Sequence, residues 1–336
     1  MSEQTVAEDR RRPPVAVVVL LLTALLTVLL IAFAWPAARS QPRDLPLGIA
    51  GPPQAVTQLT SSLDQAMPGG FEIKAYADRA AAVRAIENRD VYGAIVADPQ
   101  TPEVLTASAG GPAVAQILTQ LAGRIGAQQG VAPKVTDVVP LPADDPRGTG
   151  LAAGALPLVI GGIAAAGMLT QLVRGGGRRM AGALAFAVTG GLALAAVLQF
   201  WLGSFEGSYW ANSGVIALSI AAISLTLLGL EWLIGTAGLA LGAATMMLLG
   251  NPLSGMTSAP EMLPGGWGAL GQLLPPGAGG TALRSVGFFD GAGAGRPLLV
   301  LGCWLVLGLL LCAAGAGRDR TRRAVPARPE ASPVTV

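Results

Sequence analysis

Residues 251–285 read Asn-Pro-Leu-Ser-Gly-Met-Thr-Ser-Ala-Pro-Glu-Met-Leu-Pro-Gly-Gly-Trp-Gly-Ala-Leu-Gly-Gln-Leu-Leu-Pro-Pro-Gly-Ala-Gly-Gly-Thr-Ala-Leu-Arg-Ser. This stretch is too apolar for an ordinary solvent loop and too broken for a membrane span. Pro252, Pro260, Pro264, Pro275 and Pro276 each remove a backbone donor and stop a helix. Between those breaks Met262, Leu263, Trp267, Leu270, Leu273 and Leu274 form an apolar stripe on short helices. Such a segment belongs at the membrane–water boundary, or dips in where protein shields its backbone. It reads either as an interfacial loop joining two spans or as the outer lid of a transport path. The surrounding chain decides between them.

The chain has 336 residues, 52% of them apolar and only 12% charged. A soluble domain carries about twice that share of charge, so the composition points to an integral membrane protein. A net charge of +2 argues against a nucleic-acid partner. The absence of His removes the commonest general base and metal ligand. Cys303 and Cys312 sit nine positions apart in one apolar run, roughly 13 Å along a helix, beyond disulfide reach. They read as packing residues.

Working outward, residues 1–14 form a polar tail with Arg10, Arg11 and Arg12 before an apolar run. Residues 15–36 contain an uncharged run of about 30 Å as a helix, enough to span, and longer than a signal-peptide core. We expect an uncleaved anchor there. Residues 37–150 change character, with nine Lys/Arg and eleven Asp/Glu. Strand patterns at 45–51, 71–76, 90–98, 103–108 and 134–141 alternate with helical ones at 54–67, from Asp78 through Ala82, Val83 and Ile86, and at 114–128. Asp78 is an N-cap candidate. The alternation predicts a small α/β domain with a partly parallel sheet. Its carboxylates are scattered; the one adjacent pair, Asp144-Asp145, reads as a solvated turn in a Pro-rich linker. With no phosphate loop, nucleophile elbow or metal-ligand cluster, the domain reads as a binding or gating unit.

Five further spans are expected at 151–173, 181–203, 213–230, 233–250 and 297–316, with 251–285 as an outer re-entrant or interfacial segment and 317–336 as a basic cytoplasmic tail. A single helix over 213–250 would measure about 57 Å, too long for one crossing, so a tight hairpin is expected at 229–235. The fold class is therefore an α-helical membrane protein of about six transmembrane helices with an extracytoplasmic α/β domain after the first. Basic clusters at Arg10–Arg12, at Arg174, Arg178 and Arg179, and in the tail place both termini in the cytoplasm of a multi-pass cell-membrane protein. The short loop 204–212 holds no Lys or Arg, and 252–296 holds only Arg284 and Arg296. Gly150 and Gly154, and Gly238 and Gly242, each present a small-residue face.

One span, an outer domain, five more spans and an apolar re-entrant segment before the last form a layout that resembles the permease subunits of ABC-2 type ABC transporters. The nearest branch is that of the phage-infection-protein-like permeases. The resemblance rests on Leu45-Pro-Leu-Gly-Ile-Ala50, Tyr92-Gly-Ala-Ile-Val96, Asn251-Pro-Leu-Ser-Gly255, Pro260-Glu-Met-Leu-Pro264 and Leu274-Pro275-Pro276. It implies an exporter of hydrophobic or amphipathic substrates that works as a homodimer or with a second permease. No Gly-x-x-x-x-Gly-Lys-Ser/Thr motif occurs, so the chain has no P-loop of its own and the resemblance implies a separate ATPase subunit. Candidate ATPase contacts are Arg174, Arg178, Arg179 and Glu231. Candidate lid residues are Pro260, Met262, Pro264, Trp267, Leu270 and Leu273, with 260–274 expected as one short helix whose Leu270, Leu273 and Leu274 face inward. No catalytic residue, metal or cofactor is expected. The alternative reading is a non-transporting scaffold or receptor that acts through the α/β domain. A secondary transporter is disfavoured because spans two, three, five and six carry no ionisable residue.

Overall fold

In a membrane a backbone can satisfy its polar groups only internally, so long apolar runs become helices. The computed structural model describes residues 14–98, 102–129 and 132–324; the Arg10–Arg12 cluster and residues 325–336 lie outside the described residues. Helix α1 (Val15–Ala38) leads into a domain of β1 (Leu45–Ala50), α2 (Pro53–Ala66), β2 (Phe71–Tyr76), α3 (Arg79–Glu87), β3 (Gly93–Val96), β4 (Glu103–Thr106), α4 (Pro112–Gln129) and β5 (Lys134–Asp137). Next come α5 (Thr149–Leu172), α6 (Gly176–Ala196), α7 (Tyr209–Ile234) and α8 (Thr236–Ala244), then α9 (Trp267–Gln272), α10 (Pro275–Phe288) and α11 (Gly295–Ala324). Helices α6 and α8 each end in a π-helical turn, Val197–Trp201 and Thr245–Gly250.

The domain's sheet has strand order β2-β1-β3-β4-β5. β1 runs parallel to β2 and β3, β3 is antiparallel to β4, and β4 is parallel to β5. This is the partly parallel α/β sheet expected from the alternation. Asp78 caps α3, its Oδ1 accepting from the Ala81 amide at 2.8 Å. Glu103 is buried on β4, where it accepts from Arg79 at 2.6 and 3.1 Å and from the Thr136 hydroxyl at 2.6 Å. It thereby joins α3 to the edge strand β5.

Among the described residues, five helices are long and apolar enough to cross a membrane: Val15–Ala38, Thr149–Leu172, Gly176–Trp201, Tyr209–Ile234 and Gly295–Ala316. The expected crossing at 233–250 is shorter. Thr236–Gly250 would reach about 22 Å as a helix, against about 30 Å of hydrocarbon. Where about six transmembrane helices are expected, the described residues hold five of membrane length and one shorter apolar helix. The hairpin before it is present, with Gly235 at φ 71° between α7 and α8. Helix α7 is the hub, packed by α5, α6, α8, α10 and α11, and is apolar all round because it is surrounded. Gly238 and Gly242 let α8 lie against Leu230 and Leu227 of α7, and Gly154 admits Leu198 of the first π-turn.

Asp144-Asp145 is not merely a solvated turn. Asp145 is buried and caps α5, accepting from the Thr149 amide and hydroxyl at 2.9 Å each and from the Gly150 amide at 2.7 Å. Burial alone would raise its pKa. The donors of Gly150 and Thr149, with the Ser204 hydroxyl, outweigh that and hold it below the usual value.

The 251–285 segment folds back into the bundle. From Gly250 the chain rises to the α/β domain, where Ala259 and Met262 join the core that contains Leu45, Leu47 and Ile49. Helix α9 then returns toward the bundle and α10 runs back out. The turn between them lies at depth: the Trp304 indole, nine residues into α11, donates to the Leu273 carbonyl at 2.7 Å. Gly279 packs on Ser219, ten residues into α7, so the re-entrant turn reaches roughly 13–15 Å along these helices. Non-helical backbone at that depth needs protein partners. The Gln272 amide supplies one by donating to the Ser254 carbonyl at 2.9 Å, while its oxygen accepts from Thr281 at 2.7 Å. Gly271 packs so closely on the Leu253 carbonyl that no side chain would fit.

Candidate functional site

Where the α/β domain meets the re-entrant segment, a cavity of about 560 Å³ remains between them. Arg89 follows α3 at φ 63°, a left-handed conformation that non-glycine residues rarely hold. Its backbone closes that turn by donating to the Ile86 carbonyl at 2.9 Å. The strained turn aims the guanidinium across the cavity wall at α10. There Nη1 donates to the Thr281 carbonyl at 3.1 Å and to the Ser285 hydroxyl, and the guanidinium carbon stands 5.3 Å from the centre of the Phe289 ring. Among the described residues the non-glycine positive-φ positions are Asp44, Arg89 and Asp290. Asp44 and Arg89 line this cavity, and Asp290 follows its wall residue Phe289. Backbone strain of this kind gathers where a fold holds groups for a purpose.

Tyr92, immediately before β3, donates its hydroxyl to Glu261 Oε2 at 2.7 Å. Glu261 stands on a single 3-10 turn, Pro260–Met262, that Pro260 initiates. Arg43 closes the same turn from α1's side: its amide donates to the Glu261 carbonyl at 3.1 Å and its Nη1 to the Met262 carbonyl at 3.0 Å. Behind the wall, Arg284 of α10 is 2% exposed. Its Nη2 donates to the Met256 carbonyl at 2.8 Å, whereas its buried Nε has no partner. Arg296, in the first turn of α11, is exposed at the rim. Burial lowers the Arg89 pKa, with Tyr92 and Glu261 opposing the shift in part. Burial first, and then the Glu261 carboxylate, push the Tyr92 hydroxyl far above its ordinary value, so it stays a donor.

The expected lid residues divide. Met262 and Pro264 are buried, and Met262 belongs to the core of the α/β domain. Pro260 lines the cavity. Trp267 meets Trp35 of α1 edge-on, with ring centres 5.8 Å apart. Leu270 and Leu273 are corrected: they are 42% and 51% exposed, and Leu274 alone of the three faces inward. The reason is the break at Gly265-Gly266, where Gly266 takes φ 76°. It restarts the helix at Trp267 and turns Gly268 and Gly271 inward in place of the leucines. One helix over 260–274 is therefore replaced by a 3-10 turn and the six-residue α9.

At the opposite end of α7 the expected ATPase contacts also divide. Arg179 pairs with Glu231 at 3.4 Å, and its Nε and Nη2 donate to the Val173 and Thr170 carbonyls at 2.8 and 2.7 Å. The pair ties the α5–α6 turn to the α7–α8 hairpin, capping the last carbonyls of α5. Trp232 packs over Gly176 and Gly315 in the same layer. Arg174 and Arg178 are exposed.

Sequence reasoning passed over Arg89, Tyr92 and Arg284 as site residues. The available signals were an Arg-Asp pair immediately before a buried strand, and a lone Arg inside the Gly-rich run 275–287. No protein-family model matches the chain, and neither a curated protein nor a solved structure matches it.

Proposed function

We propose that this chain is the permease subunit of an ABC-2 type exporter. On this reading a separate P-loop ATPase powers it, it pairs with a second copy or a second permease, and it moves a hydrophobic or amphipathic substrate outward across the cell membrane. The α/β domain then lies outside and both termini inside. The observation that carries the reading is the re-entrant α9–α10 element. It enters the bundle beside α7 and α11, is shielded by protein at its turn, and is latched to the α/β domain at its top. A path can open by shifting this one element while the long helices keep their packing.

The sequence holds no phosphate-binding loop, which supports a separate ATPase as the energy source on this reading. Arg174 and Arg178 are the exposed cations of the turn that would meet the ATPase, and the Arg179–Glu231 pair keeps that turn in place.

The test is biochemical. The homogeneous full chain should neither bind nor hydrolyse ATP. The native complex drawn from membranes in mild detergent should contain a P-loop subunit and hydrolyse ATP, and Arg174→Glu with Arg178→Glu should reduce that subunit's retention. Stoichiometric ATP binding by the isolated chain, or a native complex without a P-loop subunit, would refute the proposal.

A further inference from the structure

The charges around the cavity between the α/β domain and α10 do not balance by depth. At its rim Arg43 and Arg296 stand against Asp44 and Asp90. Deeper in, Arg89 lines the cavity and Arg284 lies buried behind it, and the remaining carboxylate on the lining is Glu261. Two guanidiniums against one carboxylate leave an excess of one positive charge where burial makes charge costly. The Arg284 Nε, buried and without an acceptor, marks the same deficit.

We propose that this cavity binds a phosphate ester. Arg89 and Arg296 meet the phosphate, and Arg284 adds its charge from behind the wall. Guanidinium groups match phosphate oxygens in geometry, and the cavity volume of about 560 Å³ falls in the range of small-molecule sites. Two sources carry this chemistry: a phospholipid headgroup and a soluble phosphate ester. The surroundings favour the headgroup. One wall is α9, through Gly268, Ala269 and Gln272, and the same short helix carries the exposed Leu270 and Leu273 and the Trp267 that meets Trp35, apolar surface that suits the acyl part of a lipid. The inference stands apart from the export reading, since binding is measured without an ATPase.

The experiment uses the full chain, delipidated in a neutral detergent, and calorimetric titration. Dihexanoylphosphatidylglycerol should bind saturably at about one per chain, and phosphate-free dihexanoylglycerol should not. Glycerol 3-phosphate is the second arm: binding comparable to the lipid identifies a soluble ester as the ligand, and much weaker binding identifies the headgroup. Arg89→Gln and Arg296→Gln should each weaken binding roughly tenfold. Glu261→Gln should tighten it several-fold, because it raises the deep excess from one charge to two. Residues that only clamp the domain would shift binding in the same direction when either Arg89 or Glu261 is changed. If Arg89→Gln fails to fold, the opposed responses of Arg296→Gln at the exposed rim and Glu261→Gln still decide. Failure of both phosphate esters to bind saturably, equal binding of the phosphate-free compound, or weakening by Glu261→Gln would overturn the proposal.

Discussion

Replacing Tyr92 by Phe tests whether the α/β domain is latched to the re-entrant segment. The substitution keeps the ring and removes only the hydroxyl that donates to Glu261 at 2.7 Å. A hydrogen bond to a charged group contributes about 1.5–3 kcal/mol, and a carboxylate left in the cavity wall loses its best donor. The ratio of latched to released segment should therefore fall by roughly 10- to 150-fold. Two amides report on the latch: Gln41 donates to the Met262 carbonyl at 2.9 Å, and Arg43 to the Glu261 carbonyl at 3.1 Å. Both are exposed to exchange when residues 260–262 lift away from the domain. Hydrogen exchange on the full chain should show these two amides exchanging faster by that factor in Tyr92→Phe. Amides inside the β1–β2 ladder should be unchanged, since their partners lie within the sheet. Unaltered exchange at Gln41 and Arg43, or equal acceleration in β1, would refute the latch.

Asp145→Asn keeps one acceptor oxygen of the two that Asp145 uses, so it should leave a buried amide donor unpaired and lower stability at neutral pH by about 1–2 kcal/mol. Because the folded-state pKa of Asp145 is depressed, its contribution is present above the unfolded value near 3.8 and is lost as pH falls through the lower folded value; a melting series from pH 7 to pH 3 should narrow the gap between wild type and variant toward the acid end. Gly271→Ala should displace α9, since its side chain would collide with the Leu253 carbonyl, and limited proteolysis should then cut within 251–274; Gly302→Ala on α11, where nothing lies within 4 Å, should leave the pattern unchanged. A cysteine at Gln120, on α4 of the α/β domain, should react with an impermeant reagent added outside intact cells in a variant lacking Cys303 and Cys312, and reaction only from the cytoplasmic side would reverse the proposed orientation.

Much of the architecture is legible along the chain because it depends on local composition. The uncharged run 15–35, the mixed-charge domain that follows and the helices after it report their class through apolar length and period, properties a window can read. The hairpin at Gly235 is legible from length alone, since a continuous helix would overshoot the bilayer. The prolines of 251–285 likewise mark a broken apolar segment whose backbone needs shelter.

Tertiary structure decided which faces and charges meet. Leu270 and Leu273 share helical spacing with Leu274, yet Gly265-Gly266 resets the helix phase, and local period cannot register a reset imposed by a left-handed glycine. Asp145 reads as one of two linker acids until the turn places it under the first amides of α5. Arg89, Glu261 and Arg284 lie far apart in sequence, and no spacing rule joins them. Packing of the α/β domain on the re-entrant segment brings Arg89 and Glu261 to the wall of one cavity, with Arg284 buried behind it.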